Sequence, residues 1–263
     1  MATFGCGAEN ILGMSLSPDI RIGTAGWNVP KEHAAAFPAE GSHLQRYAQV
    51  FGVVEINSSF YRPHRCSTYE RWAVSVPETF RFAVKIPRVI THEHRLRAAG
   101  ELLDRFLSEV GGLGPKLGLL LVQVPPSLVF EPGVADRFLE DLRRQVQGQI
   151  ACEPRHPSWF TPEVEDLMYE LRIGRVAADP APAQTAHQPS GWTGLTYYRL
   201  HGSPRIYYSA YSDDAVHAIV AQLDLRAAQG SECWCIFDDT AVFSATSNGL
   251  TARGRWTALA QSN

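Results

Sequence analysis

Residues 117–124 read Leu-Gly-Leu-Leu-Leu-Val-Gln-Val, a run that is apolar except for Gln123. A continuous apolar run of this length is typical of a strand that is covered on both faces, as strands of parallel sheets are. The run is far shorter than the ~20 apolar residues that a membrane-spanning helix needs. It therefore predicts a buried strand of a parallel sheet, and we expect no membrane partner.

Seven further strand-like runs lie on either side of this strand, and helix-like stripes separate them. One stripe places Leu103, Phe106, Leu107 and Val110 at the i, i+3, i+4, i+7 spacing of a helix face. Strand starts recur about every 30 residues, which is the size of one βα unit. The other predicted strands are Ile20–Thr24, Val53–Asn57, Phe80–Ile86, Gln149–Glu153, Arg175–Asp179, Leu195–His201 and Cys233–Asp238.

Strict alternation of strand and helix predicts an α/β fold with a parallel sheet. Eight strands and seven helices in about 250 residues match an eight-stranded (β/α)8 TIM-type barrel. Residues 180–194 are rich in Pro, Ala, Gln and Ser and show no helical stripe, so the sixth crossover should be irregular. We expect residues 20–263 to form this single domain and residues 1–19 to be an N-terminal extension. An open doubly wound sheet is the alternative, but no G-x-G-x-x-G follows the first strand.

Net charge and cysteine content bear on whether the protein binds nucleic acid and on its cellular compartment. The 263 residues carry 24 Lys and Arg against 27 Asp and Glu, which gives a net charge of −3. This balance disfavours a non-specific nucleic-acid binder, which is usually basic. Five cysteines, an odd number, and residues 1–19 without a signal-peptide pattern favour a reduced, cytoplasmic protein. Nothing in the sequence indicates the oligomeric state.

Polar or ionisable side chains lie at or just beyond the carboxyl end of each predicted strand. In a barrel of this type those ends carry the chemistry. Polar groups enclosed by an apolar barrel need partners, so we expect a connected network of ion pairs. Pairs such as Glu55 with Arg199, or Glu153 with Lys85, could also serve only to neutralise one another. The candidate site residues among them are Glu55, Asn57, Lys85, Arg88, His92, Gln123, Glu153, Arg155, His156, Arg199, His201, Asp238 and Asp239.

Aromatic side chains flank the same strand ends. Arginine forks match the geometry of phosphate and carboxylate groups. Aromatic rings beside such cations therefore predict an anionic ligand with a flat or apolar part. The aromatic binding residues that we predict are Trp27, Tyr61, Trp159, Tyr208 and Tyr211.

Six short motifs in this order resemble the YecE-like family, also called domain of unknown function 72. They span roughly residues 20 to 250 and include Gly23-Thr-Ala-Gly-Trp27, Glu55-Ile-Asn-Ser-Ser-Phe-Tyr61, Phe82-Ala-Val-Lys85-Ile-Pro-Arg88, Gln123-Val-Pro-Pro126, Glu153-Pro-Arg155-His156-Pro-Ser-Trp159 and Tyr198-Arg199-Leu-His201-Gly202. The resemblance implies a (β/α)8 barrel and supports the site, but it implies no reaction. Two departures stand out: Asp238-Asp239 replaces the family's usual two asparagines, and Pro154 replaces an aromatic residue.

The first functional hypothesis is an enzyme that acts on a small anionic substrate by acid/base chemistry, without a cofactor or an obligatory metal. Its catalytic residues would be Glu55, Lys85, His92, Glu153 and His201, because carboxylates and histidines exchange protons near neutral pH. A Schiff base on Lys85 is a less simple alternative to a salt bridge. The Arg155 and Arg199 side should take a phosphate or carboxylate, and the Asp238-Asp239 side hydroxyls or a cation.

Two other classes of function remain open from the sequence. A metal-dependent phosphodiester hydrolase of the endonuclease IV type would use the same carboxylates and histidines around divalent metal ions. Against it, the arginines compete for these carboxylates and no close ligand pair such as His-x-x-x-His occurs. A non-catalytic protein that binds an anion or a nucleic acid strand would use the aromatic residues beside arginines.

Overall fold

The computed structural model describes residues 20–261. The predicted N-terminal extension, residues 1–19, lies outside the described residues, as do residues 262–263. Ten strands form one barrel-like sheet, nearly closed, in the order β7-β9-β10-β1-β2-β3-β4-β5-β6-β8. All pairings are parallel except that of β6 with β8. The strands are β1 Ile20–Ala25, β2 Val53–Ile56, β3 Arg81–Lys85, β4 Leu117–Gln123, β5 Gln149–Glu153, β6 Ile173–Arg175, β7 Ala177–Asp179, β8 Ser190–Gly191, β9 Leu195–Leu200 and β10 Glu232–Phe237.

The sheet departs from the predicted count of eight in the region of the sixth strand. Sequence patterning predicts one strand over Arg175–Asp179, whereas the structure has β6 and β7, separated by Val176. β6 pairs with β5, and β7 pairs with β9. The segment therefore changes its neighbour part-way along its length, and this change of partner brings the two ends of the sheet together. The two-residue strand β8 adds the remaining difference.

Residues 20–261 contain eight α-helices; seven pack on the outer face of the sheet, and the four-residue helix Ser58–Tyr61 follows β2 at the carboxyl end. Side-chain caps begin two of the helices. Ser42 accepts from Gln45 N before the helix His43–Ala48, and Ser212 accepts from Ala215 N before the helix Asp213–Ala228. Residues 180–194 contain no helix, as their composition predicts. No helix within residues 20–261 is both long and apolar enough to cross a membrane. The helices are α1 His43–Ala48, α2 Ser58–Tyr61, α3 Cys66–Val74, α4 Gly100–Val110, α5 Ala135–Gln145, α6 Pro162–Glu170, α7 Asp213–Ala228 and α8 Ser244–Ala260.

The barrel interior is filled below the strand ends. Trp234 and Tyr197 stack there with ring centroids 6.2 Å apart, and both are completely buried. Gly118 makes room for the Trp234 ring, because a Cβ at this position would lie 2.5 Å from it. Leu119, Leu121 and other apolar side chains complete this layer. The floor of the barrel is therefore a packed apolar layer, and the polar side chains lie above it at the carboxyl ends of the strands.

Candidate active site

The period of two along each strand places the predicted polar side chains inside the barrel. Val53, Ala83 and Ala151 belong to the apolar interior layer, and the residues two positions later are Glu55, Lys85 and Glu153. Leu195, Tyr197 and Arg199 continue the same pattern on β9. All four charged side chains are buried. Local strand periodicity alone therefore brings them to one level at the carboxyl end of the barrel.

Arg199 lies at the centre of this buried network. Its Nε lies 3.0 Å from both carboxylate oxygens of Glu55, and its Nη2 lies 2.7 Å from Glu55 Oε1. Nη1 lies 3.2 Å from Glu153 Oε2, and Nη2 also lies 2.8 Å from Asp238 Oδ2. The guanidinium is almost completely buried, with 1% of the side chain exposed. Each of its three nitrogens is thus engaged by a carboxylate of the protein itself.

Glu153 connects a second arginine to the network. Arg155 donates from Nε and Nη2 to Glu153 Oε1, at 2.9 and 2.6 Å. Gln123 donates to the other carboxylate oxygen at 2.9 Å. Burial disfavours the charged carboxylate, but Arg199, Arg155 and His201 outweigh burial and hold the pKa of Glu153 well below its usual value. Glu153 is therefore a carboxylate at neutral pH and a weak proton acceptor.

His201 lies between two carboxylates and two guanidinium groups. Its Nε2 lies 3.1 Å from Glu153 Oε1 and 3.0 Å from Arg155 Nη2, and its Nδ1 lies 3.2 Å from Asp238 Oδ2. A neutral ring can donate to Asp238 and accept from Arg155, whereas a protonated ring can donate to both carboxylates. Both ring nitrogens of His201 are therefore held by the network.

A cavity of about 680 Å³ opens above this network. Its volume lies within the usual range of small-molecule sites. Eight residues that the sequence predicts as site residues line it: Trp27, Glu55, Asn57, Tyr61, Lys85, Arg199, Tyr208 and Asp238. Tyr207 also lines it and packs edge-to-face on His201. Gln123, Glu153, Arg155 and His201 are joined to these side chains by the hydrogen bonds described above.

Lys85 differs from the two network arginines. Its ammonium lies 3.9 Å from the centre of the Phe60 ring, and no carboxylate of residues 20–261 lies within ion-pair distance of it. The alternative in which Lys85 and Glu153 neutralise each other as an ion pair is therefore not observed. Burial lowers the pKa of Lys85 to about 8; Arg199 adds to this effect, and Glu153, Glu55 and Asp238 oppose it. Lys85 is thus a cation without an ion-pair partner that faces the cavity.

The remaining predicted residues lie apart from the cavity lining. Trp159 is fully buried in the outer core and donates to Leu128 O, because the turn after β5 folds back between sheet and helices. Tyr211 is buried beside β10 and donates to Asp179 at 2.7 Å. His156 bonds to Ser158, and Arg88 is half exposed and pairs with Glu93. The structure does not bring these four residues to the cavity.

Two more predicted residues have unusual protonation. Burial, with smaller contributions from Lys85, Arg88 and Arg155, lowers the pKa of His92 to about 4, so this ring is neutral at pH 7. It packs edge-to-face on Phe60, the ring that also contacts Lys85. Asp239 is completely buried, and neither of its carboxylate oxygens has a hydrogen-bond partner. Burial and the neighbouring Asp238 raise the pKa of Asp239 to about 7.

The motifs that form the network also identify the family. The family model described as "Protein of unknown function DUF72" matches residues 21–259. The chain belongs to the DUF72 family. UPF0759 protein YecE of Escherichia coli strain K12 is 28% identical over 179 residues, which cover 65% of this chain and 63% of YecE. UPF0759 protein YunF of Bacillus subtilis strain 168 is 32% identical over 155 residues, 54% of this chain and 53% of YunF.

Solved structures of DUF72 proteins share the fold. One from Enterococcus faecalis V583 superposes with a TM-score of 0.77 at 21% identity, covering 91% of this chain and 96% of that one. One from Thermotoga maritima MSB8 gives 0.73 at 20% identity, covering 92% and 99%. At these identities the likeness supports the barrel-like fold of this DUF72 chain and carries no information on a reaction.

Tyr197 belongs to this DUF72 site but is not among the site residues predicted from the sequence. Tyr197 donates a 2.6 Å hydrogen bond to Glu55 and is completely buried. Burial, together with Glu55, raises the pKa of Tyr197 well above its usual value, so the phenol keeps its proton. Tyr197 could have been predicted as a site residue from its position two residues before Arg199, which places both side chains on the same face of the strand. A tyrosine in a predicted apolar layer needs a hydrogen-bond partner, and the strand-end carboxylates are the nearest acceptors.

The protonation of Lys85 can be measured directly, because the chain contains only three lysines. We expect the Lys85 amine to titrate with a midpoint near pH 8, since burial beside Arg199 disfavours its charge. Reductive methylation with ¹³C-formaldehyde followed by NMR would resolve the lysine methyl signals as a function of pH. Loss of one signal in Lys85→Arg assigns it. A Lys85 signal that stays charged throughout pH 7–9 would contradict the expected desolvation.

Proposed function

We propose that this protein is an enzyme that acts on a small anionic substrate in the cavity by acid/base chemistry. The observation that carries the proposal is Lys85, a buried amine that lines the cavity without an ion-pair partner among the described residues. Burying an unpaired ammonium is costly, and an anionic substrate group would supply the missing partner. Lys85 is therefore the group to which we assign the anion.

The arginines are less suited to this role than the sequence suggests. All three nitrogens of Arg199 contact Glu55, Glu153 or Asp238. A substrate anion would have to displace one of these carboxylates before it could bind Arg199. We therefore propose that Arg199, Arg155, Glu55 and Glu153 form the rigid support of the site, and that Glu55 and Glu153 position cations rather than act as bases.

Proton transfer is assigned to Lys85 and His201. A catalytic acid works best when its pKa lies close to the working pH, and Lys85 at about 8 meets this condition. His201 contacts Glu153 through Nε2 and Asp238 through Nδ1. We propose Lys85 as the proton donor to the substrate oxygen and His201, which contacts the cavity-lining residues Arg199 and Asp238, as the second proton-transfer group.

The proposal assumes an eight-stranded barrel of the TIM type. We treat residues 173–179 as one interrupted barrel strand, because only Val176 separates β6 from β7 and its N–H donates to Cys152 O of β5. Counted in this way, eight parallel strands close the barrel and β8 is an appendage. In such barrels active sites lie at the carboxyl ends of the strands, which is where the cavity is. A cytoplasmic location is part of the proposal and fits the four described cysteines, which are all free.

The metal-dependent hydrolase is less well supported by the donor set. Within residues 20–261 no three side chains of His, Cys, Asp or Glu are grouped so as to hold a metal ion. Glu55, Glu153 and Asp238 each contact the guanidinium of Arg199, and this cation occupies the place that a metal would need. Binding of a nucleic acid strand is favoured only by the exposed Tyr61 and Tyr208 at the cavity.

Titration calorimetry with inorganic phosphate and acetate tests the anion role of Lys85. We expect Lys85→Met to weaken the binding of both anions at least about tenfold, because a charge-assisted contact is worth about 1.5–3 kcal/mol. Lys31→Met removes an exposed lysine and serves as the matched control. Thermal unfolding of each variant shows whether the fold is kept. Equal anion affinity of wild type and Lys85→Met would overturn the proposal.

A further inference from the structure

The cavity contains hydrogen-bonding atoms that the protein leaves without partners. Asn57 lines the cavity, and its Oδ1 is buried without a hydrogen-bond partner. Arg199 and His201 both contact Oδ2 of Asp238, so these contacts leave Oδ1 free to accept another bond. Lys85 supplies a donor to the same cavity. Asn57 Oδ1 and Asp238 Oδ1 are therefore two acceptors, and Lys85 is a donor, for a bound molecule.

Hydroxyl groups match these atoms better than other donors. A hydroxyl can donate to Asn57 Oδ1 or Asp238 Oδ1, and it can also accept from Lys85. An ammonium group could donate to the same two acceptors, but it would be repelled by Lys85 and Arg199. A purely apolar chain would leave Asn57 Oδ1 unsatisfied, which is unfavourable for a buried acceptor.

Aromatic side chains form the upper walls of the cavity. Tyr61, Tyr207 and Tyr208 are exposed to 73%, 41% and 47% and line the cavity together with Trp27. Such rings provide an apolar surface at the cavity mouth, above the charged groups below. A molecule with C–H groups on one side and hydroxyls on another fits between these walls and the polar lining.

We propose that the substrate is a polyhydroxylated anion, a sugar acid or a sugar phosphate, with its anionic group on Lys85 and its hydroxyls on Asn57 and Asp238. This inference rests on the proposed function, because it keeps the anion at Lys85. It adds the requirement that the rest of the molecule carries several hydroxyl groups. Carboxylate and phosphate are equivalent in this argument, and the experiment separates them.

Five six-carbon probes distinguish the contributions of anion and hydroxyls. D-Gluconate and sorbitol 6-phosphate carry both features, hexanoate and hexyl phosphate carry only the anion, and sorbitol carries only the hydroxyls. We expect one of the two hydroxylated anions to bind at least about tenfold more tightly in calorimetry than its counterpart without hydroxyls. Sorbitol should bind more weakly than either. The member of the pair that binds identifies carboxylate or phosphate as the anion.

Two variants assign the preference to residues. Asn57→Leu, which is close in volume, should reduce the preference for the hydroxylated anion to within about threefold while hexanoate binding stays unchanged. Asn28→Leu changes an exposed asparagine that also lines the cavity and should leave the preference intact. Lys85→Met should weaken the binding of every anion at least about tenfold and that of sorbitol by a much smaller factor.

The outcomes separate this inference from the proposed function. If hexanoate or hexyl phosphate binds as tightly as its hydroxylated counterpart and Lys85→Met weakens both, the hydroxyl inference is wrong and the anion site stands. If sorbitol binds as tightly as gluconate, or Lys85→Met has no effect, the proposed function is wrong. If none of the five probes binds at millimolar concentration, both are overturned.

Discussion

Arg199→Met should destabilise the protein by about 3–5 kcal/mol, which is the usual cost of leaving one side of a buried ion pair uncompensated. The substitution keeps most of the side-chain volume but removes the cation that contacts Glu55, Glu153 and Asp238. Glu55 and Glu153 are completely buried, so water cannot replace the guanidinium. Urea unfolding at pH 7 with linear extrapolation measures the loss.

A double variant tests whether charge, rather than packing, causes this loss. Arg199→Met combined with Glu55→Gln removes one cation and one anion and should recover part of the stability, because fewer unpaired charges remain. Arg205→Met removes an exposed arginine stacked on Tyr208 and should cost less than about 0.5 kcal/mol. A loss below about 1 kcal/mol in Arg199→Met would contradict the central role of this side chain.

Asp239→Asn should gain about 3–4 kcal/mol of stability relative to wild type as the pH rises from about 4 to above 7. Burial raises the pKa of Asp239 from 3.8 to about 7, so the folded protein binds this proton more tightly than the unfolded chain does. The Asp239 contribution to stability is therefore fully present below pH 4 and is lost as the pH rises from about 4 to 7. Asparagine has no such titration, so the difference between variant and wild type should grow over this window and level off above pH 7.

The adjacent carboxylate provides the matched control. Burial opposes the charge of Asp238, but Arg199 and His201 outweigh it and lower its pKa. Asp238→Asn should therefore destabilise the protein at pH 7, and this difference should shrink as the pH falls through the lowered pKa. Urea unfolding of both variants at several pH values from 2 to 9 gives the comparison. If the stability of Asp239→Asn relative to wild type changes with pH in the same direction as that of Asp238→Asn, the conclusion that Asp239 is unpaired is wrong.

The interior position of the charged residues could be predicted because it follows from local rules. Glu55, Lys85, Glu153 and Arg199 end strands, and the period of two fixes which face they occupy. Their choice of partners could not be read from the strands. Glu55 does pair with Arg199, but Glu153 pairs with Arg155 and Arg199 instead of Lys85. Partner choice depends on how far each side chain reaches across the barrel, which no short stretch of sequence encodes.

The paths of the loops explain why some predicted site residues lie away from the cavity. Trp159 and Tyr211 follow strand ends in the sequence, yet their chains turn back and bury both rings outside the barrel. The break between β6 and β7 has a similar origin, because it depends on which neighbour each half of the segment pairs with. Both are long-range features, whereas sequence periodicity reports only on local geometry.

The packed layer around Trp234 closes the cavity at its lower end. Gly118 lets the indole fill the barrel floor, so a molecule that enters between Tyr61 and Tyr208 has no exit through the bottom. Substrate and product would therefore pass through the same opening of the cavity. In a catalytic cycle the departing product would then stand in the path of the next substrate, and product inhibition would be competitive with respect to that substrate.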